Sequence, residues 1–206
     1  MENLTIDHII PFVEMHRHVG YLILFLVMVV EGEMFVILAG ILAHLKVFDI
    51  GDVIWVTLLG VLLGDLLWYQ LGVFVSGQGK FPDIVRFLEK TVLSFLPRFR
   101  EKPFKSIFLS KFIYGANHTT LILSGVLNVK FRIFAEAEIV ASVIWVLIFS
   151  AVGYFFGYAA LAVTHKVTNF ILIAVIFMVG FVLIQRFASK RYGEYEQNHE
   201  KENSDA

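Results

Sequence analysis

The sequence predicts an all-α integral membrane protein, built from two copies of one unit: a re-entrant helical hairpin followed by a transmembrane helix. Three observations support this prediction. Of the 206 residues, 58% are hydrophobic and only 17% are charged, whereas soluble domains carry about 25% charged residues. Two apolar stretches, 20–45 and 107–129, are each interrupted by a polar break that contains glycine. A long apolar stretch, 53–76 or 131–163, follows each of them.

The composition also excludes several classes of function. A formal net charge of −1 argues against nucleic acid as a partner, and without cysteine there is neither a disulfide framework nor a thiolate metal site. Scattered histidines and the lack of HExxH, P-loop or GxSxG motifs predict no enzyme, no metal and no cofactor. Residues 1–19 carry Glu2 and Asp7 where a signal peptide would be basic, so we expect an uncleaved interfacial segment.

The first predicted hairpin is 20–45, with Glu31, Gly32 and Glu33 between two apolar arms. Each arm of about 12 residues would be ~17 Å long at helical rise, roughly half of the ~30 Å hydrocarbon core. The alternative is one long tilted helix with two carboxylates at its centre. Burying carboxylates in a membrane helix is costly, and the glycine between them favours a break.

The stretch 53–76 is long enough to span the membrane. Gly60 and Gly64 are four residues apart and share a helix face, which favours close packing of a neighbouring helix. Asp65 lies close to mid-membrane, with Tyr69 one turn beyond it. An ionisable residue at that depth is a functional candidate by default.

The most polar internal segment is 77–105, in which basic and apolar residues interleave. It predicts an amphipathic helix over 80–102. Such a helix can lie on an anionic leaflet, or it can be a solvated surface helix.

The second predicted hairpin, 107–129, is apolar at both ends and polar at its centre. Its two arms are each too short to cross the bilayer. Non-helical backbone at membrane depth is tolerated only against protein or a water-filled cavity, so this break predicts a cavity. The polar central residues include Lys111, Tyr114, Gly115, Asn117 and His118.

The remaining segments set the topology. A transmembrane helix is predicted over 131–163 and another over 167–188, followed by a polar tail, 189–206. Because a hairpin returns to its own side and a span crosses, the two hairpins would enter from opposite faces. That is the inverted repeat typical of secondary transporters. The positive-inside rule then places the basic helix and the C-terminus in the cytoplasm.

The hairpin tips would bring acidic and basic side chains together near mid-membrane. Buried ion pairs could simply fasten the hairpins. Alternatively, the basic and amide side chains hold an anionic head group while a carboxylate gains and loses a proton. The acids are Glu31, Glu33 and Asp65, and the facing residues are Lys111, Asn117 and His118.

Three motifs in this order resemble the DedA family of membrane proteins, which shares the VTT domain with eukaryotic lipid scramblases. Residues 31–40 are similar to its acidic re-entrant motif. Gly60, Gly64-Asp65, Tyr69 and Gly72 are similar to its G-x-x-x-G-D…Y-x-x-G helix. Residues 110–125 resemble its G-R-F-I-P-G-x-R…A-G hairpin, and Phe131 and Trp145 keep its F-x(13)-W spacing.

The resemblance implies transport of phospholipids or of a polyprenyl phosphate, with the proton motive force involved. Here Lys111 and Asn117 stand where the family has two arginines, and Tyr114 where it has proline. Lysine keeps the charge but loses the bidentate fork, and asparagine loses the charge.

The sequence therefore predicts a single membrane domain over 20–188, in a multi-pass protein of the inner membrane. The predicted function is lipid transport, a scramblase-like activity coupled to protons, with membrane lipids as partners. Two alternatives stay open: a proton-coupled antiporter for a small ion or drug, and a non-transporting membrane-organising protein. Oligomeric state also stays open. The predicted transport residues are Glu31, Glu33, Asp65, Tyr69, Lys111, Tyr114, Asn117 and His118, and the structural glycines are Gly32, Gly40, Gly60, Gly64, Gly115 and Gly125.

Overall fold

A computed structural model describes residues 17–30, 32–78, 82–113 and 115–163, together with 176, 179, 180 and 183. Throughout these residues the regular structure is helical, which confirms the predicted all-α class. The helices are α1 (Arg17–Val30), α2 (Glu33–His44), α3 (Ile50–Gln78), α4 (Pro82–Phe95), α5 (Pro103–Ser110), α6 (Asn117–Val126) and α7 (Phe131–Val163). The predicted last span, the tail and most of the N-terminal segment lie outside the described residues.

Two helices, α3 and α7, are long and apolar enough to cross a membrane. Large apolar side chains are exposed along both, in stripes that follow the i, i+4 ridge of a helix. Water would disfavour such a surface and lipid would cover it. The stripe on α3 consists of Trp55, Leu59, Leu63, Leu67, Leu71 and Phe74, and α7 exposes Ile139, Val140, Val143, Ile144, Leu147, Ile148, Phe155 and Tyr158.

Both predicted hairpins contain a helix break. α1 ends at Val30 and α2 begins at Glu33, so the alternative of one continuous helix through 20–45 is wrong. α5 ends at Ser110 and α6 begins at Asn117. Gly115 in this second break has φ +77°, a left-handed conformation that glycine adopts without strain.

The second arm of each hairpin ends in the same backbone motif. In both α2 and α6 the chain leaves the helix through a residue with positive φ, Lys46 at 65° or Asn128 at 51°. The next amide then bonds back across the last turn, as in a Schellman motif. These hydrogen bonds run from Val47 N to Leu42 O at 3.0 Å and from Val129 N to Ser124 O at 2.9 Å.

The chain divides into two compact units. Unit 1 comprises the described parts of Met1–Gly64 and Val143–Gly180, and unit 2 comprises those of Asp65–Ser142 and Phe181–Ala206. Each long helix therefore contributes one part to each unit.

In unit 1, α2 packs closely on the second half of α7. A Cβ added at Gly153 would overlap the carbonyl oxygen of Ile37, and one added at Gly40 would lie 3.1 Å from the Cα of Gly153. Only residues without side chains allow two helix backbones to approach this closely.

In unit 2, α6 packs on the second half of α3 with the same layout. A Cβ at Gly72 would overlap the carbonyl of Ile122, and one at Gly125 would lie 2.9 Å from the Cα of Gly72. Ile37 precedes Gly40 by three residues in unit 1, and Ile122 precedes Gly125 by three residues in unit 2. Gly72 and Gly153 each stand 22 residues after the first residue of their helix (50 to 72, 131 to 153). The two predicted repeats thus have a packing contact in common as well as a sequence pattern.

The amphipathic helix α4 belongs to the core of unit 2. It ends at Phe95, earlier than the predicted 102, and its apolar face packs against α6. Leu88 and Val92 are buried in that core, whereas Phe87 is 67% exposed. The apolar residues of α4, which suggested a contact with the leaflet, therefore pack largely inside the protein.

Candidate functional site

Three charged side chains meet in the interior of unit 2. The ammonium of Lys111 donates a hydrogen bond to Oδ2 of Asp65 and another to Oε2 of Glu138, the latter at 2.7 Å. The exposed fractions of the three side chains are 3% for Lys111, 7% for Asp65 and 2% for Glu138. We call this group the buried ion cluster.

Three separate segments supply the cluster. Asp65 comes from α3, Glu138 from the first part of α7, and Lys111 from the residue that follows α5. A cation at a helix C-terminus is favoured by the helix dipole, which helps to explain why lysine is tolerated there. The backbone continues through the turn with Phe112 N bonded to Leu109 O at 3.0 Å.

The cluster has more negative than positive charge. One ammonium faces two carboxylates, so the formal charge is −1 when all three are ionised. A net charge in a buried site is costly, and two neighbouring carboxylates favour uptake of a proton. One bound proton makes the cluster neutral, and two leave it with the positive charge of Lys111. Whether the cluster attracts an anion or a cation therefore depends on how many protons it holds.

Spare hydrogen-bonding capacity remains in the cluster. A lysine ammonium has three donors, of which Asp65 and Glu138 take two. The second carboxylate oxygen of Glu138, Oε1, is buried and has no hydrogen-bond partner among the described residues. A buried polar atom of this kind needs an explanation, and a proton or a bound group at this position would provide one.

Sequence reasoning missed Glu138. It stands two residues after Glu136, which is exposed and pairs with Arg132 at 2.8 Å, so both acids could be taken for the polar start of a span. The helical spacing distinguishes them: Phe134, Ala137 and Ala141 are buried on the face that carries Glu138. That burial is a property of the assembled fold, and the sequence alone does not show which face of α7 is covered.

Asn117 and His118 open α6, a few residues beyond Lys111. The Oδ1 atom of Asn117 is buried and lacks a hydrogen-bond partner in the part of the chain that the structure describes. The ring of His118 lies 5.1 Å from that of Trp68 on α3. Both residues belong to unit 2, and the hydrogen bonds within the cluster itself run from Lys111 to Asp65 and Glu138.

Tyr69, one turn beyond Asp65, bonds to the backbone. Its hydroxyl donates to the carbonyl of Val129 at 2.9 Å, and its ring stacks on Phe134 with centroids 4.2 Å apart. Its position suits anchoring the turn between α6 and α7.

The first hairpin places Glu33 in the opening turn of α2, directly after Gly32. A carboxylate there complements the positive end of the helix dipole. Glu33 is in unit 1 and is half-buried. Glu31 and Tyr114, which the sequence also singled out, lie outside the described residues.

The remaining predicted glycines lie mostly at close contacts. Gly60 and Gly64 face α1, where an added Cβ would meet Phe25 O at 2.9 Å or overlap Val29 O. At Gly32 the obstacle is only the flexible end of Met28. Within the described residues no group of three His, Asp or Glu side chains is arranged to hold a metal ion.

The part of the sequence that matches a known protein family includes all three residues of the buried ion cluster. The profile of the VTT domain matches residues 29–155, more than half of the 206 residues. The chain belongs to the VTT domain family. Its relatives are membrane proteins of the DedA family, which confirms the resemblance drawn from the three motifs.

Three relatives show how similar this chain is to named proteins. The inner membrane protein YohD of Escherichia coli K12 is 24% identical over 192 residues, 88% of this chain and 94% of its own. Protein DedA of the same strain is 28% identical over 151 residues, 66% and 68% of the two chains. The uncharacterized membrane protein YbfM of Bacillus subtilis 168 is 25% identical over 150 residues, 67% and 91%. No solved structure matches the chain.

Membership in the VTT family makes the protein a membrane protein, in keeping with the exposed apolar stripes of α3 and α7. Its relatives are named as membrane proteins and not as enzymes. Asp65, Lys111 and Glu138 all lie within the matched range.

Proposed function

We propose that this protein moves a phosphate-bearing lipid head group, of a phospholipid or a polyprenyl phosphate, between the two leaflets of the membrane, with proton movement coupled to it. The observation that carries the proposal is the buried ion cluster, because ionisable groups at membrane depth are costly and mark transport pathways. Family membership and the lipid-exposed surfaces of α3 and α7 support it.

The two hairpins are proposed to enter the membrane from opposite faces. The support comes from the repeated features: a helix break, a second arm with a Schellman end, and an isoleucine–glycine contact to a glycine at the same position of a long helix. Inverted repeats of this kind place the substrate site where broken helices meet. The basic segments and the C-terminus would then face the cytoplasm, as the positive-inside rule predicts.

The charge of the cluster suggests how protons and an anion are coupled. With both carboxylates ionised, two of the three Lys111 donors are engaged and the net negative charge of the cluster repels phosphate. Protonation of Asp65 and Glu138 weakens both hydrogen bonds to the ammonium and leaves a net positive charge that attracts phosphate. Release of the protons on the other side restores the ion pairs and expels the anion. Proton and head group would therefore move in the same direction.

A second candidate function follows from the same charge count. With one carboxylate in excess, the cluster suits a small cation exchanged for protons, as in an antiporter. In that case the cation would take the place of a proton beside Oε1 of Glu138, and no lipid would move.

The test uses the purified full-length protein in phospholipid vesicles, with a fluorescent lipid whose exposure at the outer leaflet is measured by a membrane-impermeant quencher. The wild type is expected to make the inner-leaflet lipid accessible. Glu138→Gln should abolish most of that activity. Glu136→Gln, two residues away on the exposed face of the same helix, is the matched control and should retain it.

Three outcomes separate the candidates. Lipid movement lost in Glu138→Gln and retained in Glu136→Gln supports lipid transport. Proton or cation flux without lipid movement supports the antiporter. Equal lipid movement in the wild type and both variants would contradict a transport role for the cluster.

A further inference from the structure

A cavity of about 380 Å³ lies in unit 2 beside the first turn of α7, and none of the cluster residues lines it. Two of its lining residues are basic, Arg100 and Lys130. The others are apolar and include Leu127, Val129 and Ile133. We call it the Arg100–Lys130 cavity.

The two basic groups are available to an anion. Lys130 is exposed and has no ion-pair partner among the described residues. The Arg100 side chain is 63% exposed and pairs through Nη2 with Glu89. Exposed ion pairs of this kind are weak, and a guanidinium has five N–H donors, so Arg100 can bind a second anionic group.

The surroundings favour a lipid over a free anion. Lys130 directly precedes the membrane helix α7, whose first residue, Phe131, is 54% exposed. Phe104, adjacent to the lining residue Pro103, is 42% exposed. A basic site with apolar walls at the end of a membrane helix matches a ligand that carries phosphate at one end and hydrocarbon at the other.

The wall of the cavity is held in place from inside the protein. The carbonyl of Val129 accepts the hydrogen bond of the Tyr69 hydroxyl, and Asn128 beside it adopts the positive φ that ends α6. A site fixed before its ligand arrives loses less entropy on binding. Its volume is near the lower end of the range for ligand pockets, about 300–1,000 Å³, which suits a head group rather than a whole lipid.

We propose that the Arg100–Lys130 cavity binds the phosphate head group of an anionic phospholipid from the leaflet at the N-terminal end of α7. This site is separate from the buried ion cluster. The inference does not rest on the proposed transport function, since a protein that moves no lipid can still hold one at its surface.

The experiment measures phosphatidylglycerol bound to the purified full-length protein in detergent, by native mass spectrometry over a range of lipid concentrations. The test variant is Arg100→Gln with Lys130→Gln. The control is Arg98→Gln with Lys102→Gln, which removes the same charge from exposed neighbours that do not line the cavity. Both variants change exposed residues, and unchanged thermal unfolding shows that they fold.

We expect the test variant to bind phosphatidylglycerol about tenfold more weakly, because it loses two charge-assisted contacts to the phosphate. The control should change by less than about twofold, as expected for exposed charges that do not line the cavity. Phosphatidylcholine should bind the wild type more weakly than phosphatidylglycerol, and excess inorganic phosphate should not displace the lipid.

Three results would overturn the inference. An equal loss of lipid binding in both double variants would mean that the general surface charge, and not the cavity, attracts the lipid. Displacement of the lipid by inorganic phosphate would identify a site for free anions. Equal binding of phosphatidylcholine and phosphatidylglycerol would exclude recognition of an anionic head group. None of these results depends on whether the protein transports lipid in vesicles, so the two proposals fail independently.

Discussion

The ammonium nitrogen of Lys111 lies 2.7 Å from the carboxylate of Glu138, although one residue follows a short helix and the other lies inside a membrane-length helix. Both side chains are almost wholly excluded from solvent. Asp65 bonds to the same ammonium, so the arrangement joins three segments of unit 2 through one lysine. The stability and the charge of this region therefore both depend on Lys111.

Removal of the lysine should be more damaging than removal of either acid. Lys111→Gln leaves two buried carboxylates without a cation, and breaking a buried ion pair costs about 3–5 kcal/mol. Asp65→Asn or Glu138→Gln leaves one neutral pair and should cost less. Thermal unfolding of the purified variants in detergent measures the order, and equal losses in all three would mean that charge balance does not control stability here.

Lys111 should matter for transport in a way that a surface lysine does not. Lys111→Ala is expected to reduce lipid movement in vesicles at least about tenfold, as for loss of a charge-assisted contact in a dry site. Lys90→Ala, on the exposed side of α4, is the control and should retain wild-type activity. Similar effects of the two variants would count against a role for Lys111 in the transport pathway.

Transport should be faster at acidic pH. Each proton taken up changes the cluster charge from −1 toward +1, so the attraction for an anionic head group rises as the pH falls. The rate of lipid movement should therefore increase in the wild type when the pH is lowered on one side of the vesicle membrane and kept constant on the other. The double variant Asp65→Asn with Glu138→Gln has no carboxylate in the cluster, and a pH profile unchanged from the wild type would exclude this coupling.

The paired helix contacts should be equally intolerant of a methyl group. Gly72→Ala and Gly153→Ala each push a Cβ into a backbone carbonyl, and overpacking of this kind costs about 1–3 kcal/mol. Gly77→Ala is the control, because no atom lies within 4 Å of its added Cβ. That variant should be as stable as the wild type or slightly more stable. Thermal unfolding tests the comparison, and a loss confined to one of the two contacts would weaken the case for a structural repeat.

Tyr69→Phe should affect the stability of the protein more than its lipid movement. It removes the hydrogen bond to Val129 but keeps the ring on Phe134, so we expect a loss of about 0.5–1.5 kcal/mol. Tyr158→Phe, at a tyrosine that is 67% exposed, serves as the control. A large fall in lipid movement without any change in stability would instead support a direct transport role for Tyr69.

Local features were readable from the sequence because they depend on neighbouring residues. The break at Gly32 and the long helix over 131–163 follow from glycine, charge and apolar length alone. The sequence also drew attention to Asp65 and Lys111, since isolated charges at membrane depth need partners.

What the sequence could not reveal depends on distant contacts. The hydroxyl of Tyr69 finds a backbone carbonyl 60 residues away, which no local pattern encodes. The apolar stripe of α4 looks the same whether lipid or α6 covers it. Glu138 was hidden by its exposed neighbour Glu136, because only the assembled fold distinguishes the two faces of α7.

The contact between Gly40 and Gly153 has a consequence for biosynthesis. When α6 emerges from the ribosome, its partner Gly72 has already been made, so this part of unit 2 can close at once. Gly40 must wait until α7 is synthesised almost to its end. The helix α2 is therefore synthesised early but gains this contact late, and a nascent chain that stops before residue 153 leaves Gly40 without its partner.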